Sequence, residues 1–108
     1  MQLIICDDDK LFIQKLQHCL QLFFKQHHLT LPKIITFTSW EELLSYTGSI
    51  DILFLDIEMP GMNGLEAAEQ IRERDKNCSI IFLTAFDEFN YAKRAIAVRA
   101  MEYLLKPV

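Results

Sequence analysis

The pattern of apolar residues predicts a single α/β domain: a doubly wound sheet of five parallel strands with helices on both faces. Three observations carry that expectation. Five short apolar runs alternate with four segments of helical periodicity, an order that builds right-handed βαβ crossovers. The central run, Ile50 to Leu55, is apolar apart from Asp51 near its start and does not alternate, as a strand buried on both faces should not. It stops at a carboxylate, Asp56, and is followed by the turn residues Met59-Pro60-Gly61 and Asn63-Gly64. Proline fixes one φ and glycine permits positive ones, so the chain reverses into a helix near Leu65. Asp56 thus falls at the carboxyl end of a parallel strand, where open sheets bind their ligands.

Taken in order, Leu3 to Cys6 is the first strand. A helix follows from about Asp9 to His28, with Phe12, Leu16, Cys19, Leu20 and Phe23 on one face at three- and four-residue spacing. Asp7, Asp8 and Asp9 crowd its N-terminal end, where the helix dipole favours negative charge, and capping alone would account for them. Lys33 to Phe37 is the second strand. Ser39 followed by Glu42 is a capping-box pattern opening a short helix through about Tyr46, closed by Gly48. After the strand ending at Asp56, the third helix runs to about Asp75, with Leu65, Ala68 and Ile71 inward and Glu66, Glu69, Arg72 and Glu73 outward. Ser79 to Leu83 is the fourth strand, with Thr84 at its end. Asp87 to about Val98 is the fourth helix, and Glu102 to Leu105 the fifth strand, ended by Lys106-Pro107. Phe23, Phe24 and Phe54 belong to the core, Trp40 packs, and His18, His27 and His28 lie at the surface. No fifth helix follows the fifth strand, so residues 1–108 are expected to be one domain of a longer protein. Its sheet, short of cover on one face, is expected to drive self-association or the exchange of a strand or helix between chains, a homodimer being one such form.

Composition narrows the function. A chain of 108 residues, 51% hydrophobic, buries one modest core. With 11 basic against 15 acidic residues and a charge of −4, the segment would repel a phosphate backbone and is expected to make no nucleic-acid contact. No apolar run approaches the roughly 20 residues of a membrane span, and Met1-Gln2 leads straight into a strand, so no membrane association and a cytoplasmic location are expected. Cys6, Cys19 and Cys78 form no CxxC pair and sit among apolar residues, which predicts buried reduced thiols.

Parallel strands would bring Asp7, Asp8, Asp56, Thr84 and Lys106 around one pocket at their carboxyl ends. Taken singly, Thr84 is an ordinary strand-end residue and Lys106 a solvated charge; their joint placement is what points to chemistry. Three neighbouring carboxylates repel one another unless something compensates. A hard divalent cation such as Mg²⁺ does so, commonly joining one or two carboxylates to a phosphoryl oxygen. Lys106 adds a fixed positive charge and Thr84 a hydroxyl donor. These parts suit phosphoryl transfer to a carboxylate.

Ile4-Ile5-Cys6-Asp7-Asp8, Leu53-Phe54-Leu55-Asp56-Ile57-Glu58-Met59-Pro60-Gly61-Met62-Asn63-Gly64, Phe82-Leu83-Thr84-Ala85 and Tyr103-Leu104-Leu105-Lys106-Pro107 together resemble the receiver domain of bacterial two-component response regulators. The resemblance spans the whole chain. It implies a flavodoxin-like strand order 2-1-3-4-5 and a regulatory phosphoacceptor rather than an enzyme, one that takes part in its own phosphotransfer and dephosphorylation. Asp56 corresponds to the phosphoacceptor, served by the phosphohistidine of a sensor histidine kinase. Asp8 would bind Mg²⁺ directly, Asp7 through water or as a shared ligand, and the backbone carbonyl of Glu58 would complete the protein ligands. Lys106 would contact the phosphoryl group, Thr84 would move toward it, and Tyr103 would swing inward as the second switch residue. The Glu58 side chain is expected at the entrance, where it would set the rate at which water reaches the acyl phosphate.

The wording around Asp56 resembles regulators with a LytTR-type DNA-binding output, while Asp87 to Ile96 also resembles those with an AraC-type output; the first is favoured. The partners implied are the kinase and the protein's own C-terminal output domain. Arg99 departs from the glycine of many relatives. A haloacid-dehalogenase-like phosphatase fits less well, because position 58 is Glu and the motif is mid-chain. A phosphorylation-independent receiver that acts only as an interaction module is the other alternative; the intact Asp7, Asp8, Asp56, Thr84 and Lys106 argue against it.

Overall fold

The computed structural model describes residues 1–59, 61, 63–84 and the backbone of 102–105. Its strands are β1 (Gln2–Cys6), β2 (Lys33–Phe37), β3 (Ile52–Asp56), β4 (Ser79–Thr84) and β5 (Glu102–Leu105). All are parallel, in one sheet of order β2-β1-β3-β4-β5. Three helices connect them: α1 (Lys10–Gln26), α2 (Trp40–Ser45) and α3 (Gly64–Arg74). The expected fourth helix, Asp87 to Val98, lies outside the described residues. Among the described residues no helix is long and apolar enough to cross a membrane.

The inner strands β1, β3 and β4 are apolar on both sides because both of their sides are covered. Successive side chains of a strand point to opposite faces. Leu3, Ile5, Phe54 and Leu83 therefore pack against Ile13 and Leu16 of α1. Ile4, Cys6, Leu53, Leu55, Ile80 and Phe82 face the other way, onto Leu43 of α2 and Leu65, Ala68 and Ile71 of α3. From β1 the chain passes outward to β2 and then returns across to β3, so the strand order reverses between β1 and β3, and a crevice opens at their carboxyl ends.

Each helix begins on a side-chain cap. Asp9 Oδ1 accepts from the backbone N–H groups of Leu11 and Phe12 at 3.1 and 3.2 Å, and Asn63 Oδ1 accepts from Leu65 N–H at 2.7 Å. Ser39 Oγ accepts from Glu42 N–H at 3.2 Å, the expected capping contact. Glu42 Oε1 in turn accepts from Thr38 N–H, Thr38 Oγ1 and Ser39 Oγ, so the box closes one residue earlier than the simple pattern implies.

Five local expectations change. The inward row of α1 is Ile13 and Leu16, flanked by half-buried Phe12 and Leu20, while Cys19 is exposed and Phe23 is 50% exposed. A helix of 17 residues is about 26 Å long, whereas a five-residue strand runs about 17 Å. The last turns of α1 therefore overhang the strand: Phe23 meets Phe24 edge to face and lies tilted against His27, and Phe24, also expected in the core, is only half-buried. Arg72, expected outward, is buried: its Nη1 donates to the Cys78 and Asp75 carbonyls at 2.7 and 3.3 Å and ties the end of α3 to the start of β4. Gly48 does not close α2. The helix ends at Tyr46 in an extended conformation, and the Tyr46 ring folds over Gly48, where a side chain would collide with it.

Hydrogen bonds from Thr38 hold the Glu42 carboxyl below the usual glutamate range. A depressed carboxyl contributes stability that is present above its unfolded pKa and lost as pH falls through the folded value. Thr38→Val should raise the Glu42 titration midpoint toward that of an ordinary glutamate, read by carboxyl NMR; an unmoved midpoint would remove Thr38 as the cause.

Candidate functional site

Register brings the site together. Cys6 pairs with Leu55, so the residues that follow them, Asp7 and Asp56, emerge side by side at the switch between β1 and β3. Asp56 pairs with Leu83, which places Thr84 one step further along β4. Asp7 and Thr84 are fully buried and Asp56 nearly so, while Asp8 is exposed at the mouth.

Of the three consecutive aspartates, only Asp9 is used as the helix cap. Asp7 turns inward, and its Oδ1 accepts from Asp9 N–H at 2.9 Å. Carboxylate oxygens of Asp7, Asp8 and Asp56 all lie within 4.8 Å of one another, the one such acidic or metal-ligating group among the described residues. The concentration of negative charge is felt next door. The Cys6 thiol is pushed up to about 12, first by burial and then by Asp7, Glu42, Asp56 and Asp8, so it stays protonated and unreactive at neutral pH. The donor set suits a small hard cation: three carboxylates, two of them buried at strand ends and one exposed at the mouth.

The loop after β3 is built around Asp56. Ile57 N–H donates to Leu83 O at 3.0 Å, and Gly64 N–H donates to Ile57 O at 2.8 Å, so α3 starts directly against the end of β3. A Cβ on Gly64 would lie 2.2 Å from the Asp56 carbonyl oxygen, and only a glycine fits there. Gly61 has φ +94° and sits against the Trp40 indole. Asp8, Trp40, Met59 and Gly61 line a cavity of about 360 Å³ beside the carboxylates.

Glu58 takes part twice. Its N–H donates to Asp56 Oδ1 at 3.3 Å, and its side-chain Oε1 accepts from the Thr84 hydroxyl. The second contact joins residues 26 apart in sequence and was not foreseen; only the pairing of β3 with β4 brings it about. Of the other expected site residues, Lys106 and the side chain of Tyr103 lie outside the described residues; the backbone of β5 ends at Leu105, paired with Thr84.

Residues 3–108 match the family model described as the response regulator receiver domain. The chain belongs to the response regulator receiver family. This receiver is 34% identical over 109 residues to an uncharacterised response regulatory protein of Staphylococcus epidermidis, covering 99% of the chain and 41% of that protein. It is 32% identical over 107 residues to the sensory transduction protein LytR of Streptococcus mutans, covering 99% of the chain and 43% of LytR. The receiver thus spans about two fifths of the length of the curated relatives it matches. Among solved structures it is similar to the response regulator TrrA of Thermotoga maritima in complex with Mg²⁺ and BeF, with a TM-score of 0.69 and 32% identity over 97% of this chain and 85% of TrrA.

Gly64→Ala should destabilise the receiver by at least about 1–3 kcal/mol, because the added methyl collides with backbone that cannot rotate away. Denaturant unfolding measures it; a change under about 0.5 kcal/mol would show that α3 shifts freely.

Proposed function

We propose that this receiver accepts a phosphoryl group on Asp56 from the phosphohistidine of a sensor histidine kinase and, once phosphorylated, switches the output domain of a transcription regulator, most fittingly of the LytTR type. Meeting of the Asp7, Asp8 and Asp56 carboxylates at one switch point carries the proposal. Asp7, Asp8, Asp56 and the backbone carbonyl of Glu58 would hold Mg²⁺, which when bound offsets the negative charge that gathers during transfer. A carboxylate oxygen of Asp56 forms the bond to phosphorus as the phosphorus–nitrogen bond of the phosphohistidine breaks and the imidazole leaves. The sheet holds Asp56 still, and its near-complete burial limits water at the attacking oxygen. Lys106 supplies the remaining positive charge toward the phosphoryl oxygens.

Phosphorylation adds nearly two negative charges and new acceptor oxygens, enough to draw a hydroxyl and a loop into a second arrangement. Thr84 and Tyr103 are assigned that movement. The family resemblance supports a cytoplasmic regulator whose receiver contacts the kinase and its own output domain, with DNA left to the output domain; a homodimer would rest on apolar surface left uncovered on one face of the sheet.

Intact mass after incubation with a small acyl phosphate is the test. Wild type with Mg²⁺ should gain one phosphoryl group; Asp56→Asn, and wild type with a chelator, should gain none. A gain on Asp56→Asn, or one that survives chelation, would overturn the assignment.

A further inference from the structure

The contact between Glu58 and Thr84 is not required by a phosphoacceptor site, and it has a consequence for switching. A threonine hydroxyl has one proton to donate. Here Thr84 is fully buried and donates that proton to Glu58 Oε1, a charged acceptor. The same hydrogen cannot serve a phosphoryl oxygen on Asp56 at the same time. Glu58 is also bound to the acceptor itself, since its N–H donates to Asp56 Oδ1 at 3.3 Å. One residue therefore holds the switch hydroxyl with its side chain and senses the acceptor carboxylate with its backbone.

We infer that Glu58 is a positioning residue that latches Thr84 in the resting arrangement, so that an anion on Asp56 must compete the hydroxyl away before the receiver switches. This rests on the acceptor reading above and adds to it a built-in threshold. Glu58 is only half-buried, so its carboxylate can turn to solvent once the hydroxyl is lost. A phosphoryl dianion arriving beside it repels it in that direction. Release of the latch and capture of Thr84 then become a single exchange of hydrogen-bond acceptors.

Trp40 is the single tryptophan of the chain and lines the cavity shared with Asp8, so its fluorescence reports events at the site. The intact protein in saturating Mg²⁺ is titrated with beryllofluoride as the phosphoryl mimic. Glu58→Ala should tighten its apparent affinity about tenfold, the scale of one hydrogen bond to a charged group. Glu58→Gln, which loses the charge but keeps an oxygen acceptor for Thr84, should stay within about threefold of wild type. On a Thr84→Val background, Glu58→Ala should add less than about twofold, because no hydroxyl remains to release. Equal tightening by Gln and Ala would reduce Glu58 to simple charge repulsion, and a full gain on the Thr84→Val background would likewise remove the latch. An unchanged affinity in Glu58→Ala would do the same. No Mg²⁺-dependent binding by wild type, or undiminished binding by Asp56→Asn, would instead remove the acceptor reading itself, and the latch with it.

Discussion

Three carboxylates that repel one another are gathered at one point because the strands that end beside them cannot separate. Asp7 and Asp56 stand at the ends of β1 and β3, strands paired along their length and covered on both faces. The hydrophobic core fixes the strands, the strands fix the carboxylates, and the cost of bringing like charges into a buried place is met by burial elsewhere in the sheet. A site of this kind is stable only as part of the whole fold. It is also primed, since any cation that enters relieves a strain already present.

The surrounding devices serve that arrangement. Gly64 lets α3 begin in contact with the Asp56 carbonyl, so the helix starts directly beside the carboxylates. Asp9, by capping α1, leaves Asp7 free to turn inward and Asp8 outward. Adjacent aspartates of identical chemistry thus acquire three different roles from backbone geometry alone. Glu58 then connects the end of β3 to β4 through Thr84, so the neighbouring strand ends are coupled by a side-chain contact as well as by the ladder.

What could be read from the sequence was what is local or periodic. The succession of strands and helices followed from alternating runs, Asp56 from a buried run stopped by turn residues, and the Ser39–Glu42 cap from its three-residue spacing, while the spatial strand order came from the family resemblance. Asp7, Asp8, Asp56 and Thr84 converge as parallel pairing requires. Periodicity names residues that share a face but not how far the opposing surface extends, which is why Cys19 and Phe23 were placed inward on a helix that outruns its sheet. Arg72 was placed outward because charge is the usual mark of a solvated face; its burial depends on carbonyls presented by the loop before β4. The Glu58–Thr84 contact depends on register between two strands, information that no single segment contains.

Unfolding temperature as a function of Mg²⁺ concentration tests the carboxylate cluster most directly, because a ligand that binds only the native state stabilises it by mass action. Wild type should gain stability steadily with Mg²⁺. Asp8→Asn should gain much less, yet be the more stable of the two in chelator, since it has lost one of three repelling charges. A wild type indifferent to Mg²⁺, or an Asp8→Asn protein no more stable than wild type without it, would contradict a repulsive cluster that a cation relieves.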